Sequence, residues 1–96
     1  MAERNTHPTG YWNYRLIRFT GASGTWYAVH EVYYDKAGLV INWTARPATV
    51  GSETARGARV VYGQFAEALA RPTLTELDMM AGTARDTTKE AKHAIP

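Results

Sequence analysis

Two residues with acid/base chemistry stand next to each other in WYAVHEVYYD, Trp26 to Asp35: His30 and Glu31. A catalytic dyad would need both within hydrogen-bond reach of one substrate atom. The stretch around them is rich in Trp, Tyr and Val and has no breaker, so it reads as a β-strand. Neighbouring strand residues point to opposite faces, which separates the two side chains. The pair therefore reads structurally: one residue buried with a satisfying partner, the other facing solvent. Arg15 or Arg18 of the preceding strand is the expected cross-strand partner for Glu31. Other routes to catalysis are equally bare. Ser23 and Ser52, the two serines, sit in turn contexts, and neither a GxSxG nor a GxxxxGK[ST] pattern occurs. His7, His30 and His93 are scattered, which does not suit a zinc site, and the chain has no cysteine. No catalytic residue, metal or cofactor is expected, and the chain is not expected to be an enzyme.

The elements around this strand follow from periodicity and breakers. Tyr14 to Thr20 alternates, with Leu16 on one face and Ile17 and Phe19 on the other. Gly21 to Gly24 (GASG) forms a turn. Asp35 to Gly38 (DKAG) is a second turn, with Gly where a left-handed residue is needed. Leu39 to Thr44 forms a third strand, with Leu39, Ile41 and Trp43 expected on one face. Short connections make the three strands an antiparallel meander. ARPATVGSETA is a linker, and Pro47 cannot continue a central strand. A helix is expected over Glu53 to Ala70, capped by Ser52, with Val61, Phe65, Ala68 and Leu69 as its buried stripe. Gly57 and Gly63 weaken that helix and suggest close approach to the sheet. Pro72 ends it. PTLTELDMM is either a short extended segment or a turn that folds back.

The expected fold is thus α+β: a three-stranded antiparallel meander with one helix on one face, in the order β-β-β-α. Residues 1–10 form a flexible leader, 11–81 the domain, and 82–96 a charged tail expected to be disordered. At 96 residues with 11% aromatics, the chain supports one small domain with a thin core of large side chains. The start lacks an apolar h-region and no apolar run is long enough to span a membrane, so a cytoplasmic location is expected.

Both faces of the middle strand carry large side chains, and one helix covers one face. The uncovered face is expected to bind a protein partner or a second copy of the chain, through Trp12, Tyr14, Arg18, Tyr27, Glu31 and Tyr33. The alternative is single-stranded nucleic-acid binding, with strand aromatics as stacking platforms and Arg15, Arg18, Arg56 and Arg59 as contacts. The net charge of only +2 argues against that alternative, since electrostatics dominate such affinity.

YWNYRLIR (Tyr11 to Arg18), HEVYYDKAG (His30 to Gly38) and NWTARP (Asn42 to Pro47), followed by a helix and a Pro-x-Leu, resemble a set of small uncharacterised bacterial proteins. The resemblance covers about residues 11–77. The helix here departs from that pattern in having Gly57, Gly63 and several arginines. At the level of fold alone, Val50 to Leu69 is similar to the loop and Ala-rich helix of HicB-type antitoxins. The first set has no established activity to carry over, and a likeness of fold alone does not fix function; the expected function, drawn from the uncovered sheet face, is a non-enzymatic protein-binding module. An antitoxin-like role is one form of it, and a phage-borne inhibitor of a host defence system is another.

Overall fold

The computed structural model describes residues 10–86. The leader expected over 1–10 therefore lies outside the described residues except for Gly10, which opens the first strand. Strands β1 (Gly10–Gly21) and β2 (Gly24–Asp35) form one long hairpin, in register from Gly10↔Asp35 to Gly21↔Gly24. Gly24 closes the turn at φ +130°, a conformation that favours glycine. The second turn behaves as the Asp-Gly spacing implies. The Asp35 carboxylate accepts from the Ala37 and Leu39 amides at 2.9 Å each, and Gly38 takes φ +89°.

β3 (Val40–Trp43) pairs antiparallel with β2, but with a bulge opposite Tyr33 and Tyr34. The extra residue inverts the inward–outward parity along the strand. The expectation that Leu39, Ile41 and Trp43 share a face is therefore overturned. Val40 is buried, Trp43 packs on the core, and Ile41 is 60% exposed.

α1 (Ala55–Ala70) starts two residues later than expected. Its cap is Thr54 rather than Ser52, with Thr54 Oγ1 accepting from the Gly57 amide at 3.0 Å. Phe65 lies against Tyr14 with ring centroids 4.9 Å apart, which places α1 on the Tyr14 side of β1. Ala68 is its sole buried residue; Val61 and Phe65 are half-buried and Leu69, expected in the buried stripe, is 60% exposed. The helix is seated on a narrow line, so Leu69 at its flank misses the sheet. Gly63 has open space around its missing Cβ and does not mark a close approach. Replacing Gly63 by alanine should raise stability by about 0.5–1 kcal/mol, measured by urea denaturation.

After Pro72 the chain makes two elements that complete the domain. β4 (Leu74–Thr75) lies parallel to β1, with Leu74 beside Ile17, so the sheet has four strands in the order β3-β2-β1-β4. The fold is α+β as expected, but the sheet is mixed and four-stranded rather than an all-antiparallel meander. α2 (Glu76–Ala81) comes next, with Thr75 accepting from the Asp78 amide and Gly82 at φ +79° as the left-handed cap. α2 packs across the face opposite α1. There Met79 joins Ile17, Phe19, Val32, Tyr34, Val40, Leu74 and Ala84 in the core. Residues 82–86, where the tail was expected to begin, are part of this layer. Ala84 accepts from the Val40 amide at 2.9 Å, and the Asp86 amide donates to Gly38 at 2.8 Å. Residues 87–96 lie outside the described residues. No helix of the described residues is long and apolar enough to cross a membrane.

Candidate functional site

The register of the hairpin sorts its side chains into two sets. Tyr11, Asn13, Arg15, Ile17 and Phe19 share the core face with Trp26, Ala28, His30, Val32 and Tyr34. Trp12, Tyr14, Leu16 and Arg18 share the other with Tyr27, Val29, Glu31 and Tyr33. His30 and Glu31 thus point apart. His30 is buried on the core face against Phe19, and its Nδ1 lies 2.8 Å from the Thr44 carbonyl oxygen. A carbonyl accepts only, so Nδ1 carries the proton in this contact. Glu31 stands on the opposite face, where its Oε1 accepts from the Tyr33 hydroxyl at 2.5 Å. Its direct cross-strand neighbour is Tyr14, not Arg15 or Arg18: Arg15 is on the wrong face and Arg18 faces Tyr27.

Arg15 is the largest departure from the sequence reading. It was a nucleic-acid contact in the alternative, yet it is 0% exposed. Its Nη1 donates to Asp86 Oδ1 at 3.0 Å and to the Tyr34 hydroxyl at 3.2 Å, and its Nη2 to the Pro72 carbonyl at 2.7 Å. Tyr11 donates to Asp86 Oδ2 at 2.8 Å, and Tyr34 donates to Asn13 Oδ1 at 2.6 Å. A guanidinium buried in this network has no access to a phosphate. Of the other proposed contacts, Arg18 is exposed on the sheet and Arg56 and Arg59 are exposed on the first turns of α1.

This network also holds two phenols in their protonated form. Burial raises the Tyr34 hydroxyl to about 12, against a partial opposing pull from Arg15. Burial and the hydrogen bond to Asp86 raise Tyr11 to about 12 as well. Unfolded tyrosine titrates near 10, so both groups bind their protons more tightly in the folded state. Stability should be fully present below pH 10 and fall as pH rises from 10 through about 12. Tyr34 alone should account for about 2–3 kcal/mol of that loss. Circular dichroism at increasing pH, with tyrosinate absorbance read in parallel, checks this; Tyr34→Phe should flatten the decline.

The six residues proposed for an interface, Trp12, Tyr14, Arg18, Tyr27, Glu31 and Tyr33, all fall on the non-core face. The expectation that no helix covers this face needs correction, because α1 rests on its Tyr14 side and the core lies beneath α2. What remains open is a surface divided by Tyr14. Between Tyr14, Glu31 and the segment Thr44 to Thr49 runs a cleft of about 350 Å³, with Arg46 and Pro47 on its outer wall. On the other side, Trp12, Asn13 and Tyr14 meet Gln64, Glu67 and Arg71 around a smaller cleft of about 100 Å³. Arg18 and Tyr27 lie exposed further along the hairpin. Sequence reading missed the walls. Arg46 and Pro47 looked like linker, although they belong to the NWTARP stretch singled out for its pattern. Gln64, Glu67 and Arg71 recur at helical spacing on one side of α1, outside the stripe expected to be buried. No three His, Asp or Glu among the described residues are grouped as a metal ion would need. Compared with family models, curated proteins and solved structures, the chain matches none.

Proposed function

We propose that the protein is a non-enzymatic protein-binding module that acts through the sheet face of Trp12, Tyr14, Arg18, Tyr27, Glu31 and Tyr33. The observation that carries this reading is the register. It gathers four aromatic rings, a cation and a carboxylate on the one sheet face that does not hold the core. Tyr27 is 58% exposed on this surface, and rings half in water are the usual anchors of protein interfaces. The partner is another protein or a second copy of this chain, and an antitoxin-like or inhibitor role is the form that fits a small module whose His30 and Glu31 point to opposite sheet faces. Exposed apolar residues on the two helices, Tyr62 and Leu69 on α1 and Leu77 and Met80 on α2, add to the surface that an assembly would cover.

The test compares the two faces of the hairpin. Partner capture from the native cells, with light scattering for self-association, is measured for Arg18→Glu and Tyr27→Ser and for Trp26→Ser on the core-side face. Loss of capture or of dimer in the first two and not in the third supports the reading. Equal capture by all three overturns it.

A further inference from the structure

We propose that the outer strip of α1 is a contact between two copies of this chain, which pair through it antiparallel about a two-fold axis. The strip shares no residue with the sheet-face interface above, so the two stand or fall separately.

α1 packs mainly on β1, with Ala68 buried and Val61 and Phe65 half-buried. The helical repeat then fixes where its other residues stand. Ala55, Tyr62 and Leu69 recur seven residues apart, and Ala66 follows Tyr62 by four. They form one apolar stripe outside the buried line. All four are exposed, Tyr62 by 65%. Arg56, Arg59 and Glu67 run along one border of this stripe and are exposed as well. The two cations lie in the first half of the helix and the carboxylate in the second.

That placement of charge names the occupant. A two-fold axis through the middle of α1, between Tyr62 and Gly63, reverses the helix and keeps the charged border on the same side of the contact. Glu67 of one copy then comes level with the turn between Arg56 and Arg59 of the other, and symmetry repeats the match. Along the opposite border Tyr62 meets Tyr62 at the axis, and Leu69 falls beside Ala55, a large side chain over a small one. The strip is therefore complementary to itself. A parallel pair would set each arginine against its own copy, where like charges repel. The antiparallel pair also brings the positive end of each helix dipole to the negative end of the other. A partner strip of one sign would match one half of this border and be repelled by the other. Sixteen residues make a strip about 24 Å long, which sits at the low end of specific interfaces, so the dimer is a weak one.

The experiment is a charge swap, read by analytical ultracentrifugation of the intact chain at low salt. The parent should show a monomer–dimer equilibrium with a Kd on the order of 10 µM. One variant carries Glu67→Arg, and a second carries Arg56→Glu with Arg59→Glu. Each alone sets like charges across the axis, so its self-association should weaken about tenfold or more. Mixed in equal amounts, the two variants restore opposite charges at every position and should form a heterodimer about as tight as the parent. The substituted residues are exposed, and circular dichroism checks that both variants fold. A parent that stays monomeric at about 500 µM overturns the inference, as do variants that dimerise like the parent. Variants that lose the dimer and do not regain it on mixing overturn the antiparallel pairing. Arg18→Glu on the sheet should leave this dimer intact. Should the parent's dimer depend on Arg18 and not on the α1 charges, self-association belongs to the sheet face, and the inference fails while the sheet-face reading stands.

Discussion

Replacing Asp86 by alanine should destabilise the protein by about 3–5 kcal/mol. The substitution leaves the Arg15 guanidinium at 0% exposure without its counter-charge and removes the acceptor of the Tyr11 hydroxyl. A domain of this size holds roughly 4–12 kcal/mol in total, so the variant should be largely unfolded or close to its midpoint at room temperature. The carboxylate is the essential element, and Asp86→Asn should recover little. Replacing both partners by apolar residues of similar volume should restore much of the loss, because the desolvation cost of the pair vanishes with it. Chemical denaturation of the two single variants and the double variant forms the cycle that measures this coupling. A cost below about 1 kcal/mol for Asp86→Ala would mean that Arg15 is not buried as described.

The second large effect separates the two helices. Met79→Ala in the six-residue α2 should cost about 2–4 kcal/mol, because Met79 is buried in the core cluster. Leu69→Ala in the sixteen-residue α1 should cost about 0.5 kcal/mol or less, because Leu69 is largely exposed. Thermal unfolding of both variants decides it. The ordering is the reverse of what helix length suggests. Core closure belongs to the short helix and the segment after it, while the long helix lies on the opposite face with one buried alanine.

Much of this architecture was legible. The hairpin showed in the run of aromatic and β-branched residues and in the two glycine turns, and the helix after the linker showed in its spacing. Three features escaped for physical reasons. The bulge at Ile41 has no local signal, since the apolar residues of LVINWT, Leu39, Val40, Ile41 and Trp43, suit a strand in either parity. α2 is too short for periodicity to reveal. Its signature was present instead in the caps, Thr75 three residues before Asp78 and Gly82 beyond the last turn. Arg15 was read by its charge, yet it shares its phase with Ile17 and Phe19, which points it at the core. Its acceptor lies 71 residues away in a stretch whose composition suggested disorder, so no local rule could pair them. On the candidate site, the register puts the six proposed residues on one face, but α1, expected on the other face, rests on this one. The walls, supplied by the loop after β3 and the flank of α1, depend on tertiary packing that no single segment encodes.

The separation of Arg15 from Asp86 bears on how the chain is made. On the ribosome, β1 and β2 emerge long before residue 86. Through that interval the hairpin can pair its backbone, but the guanidinium on its inner face has no carboxylate to receive it. Met79 and Ala84, which seal the same face, also arrive late. The core therefore cannot close, nor Arg15 find its counter-charge, until residue 86 has left the ribosome.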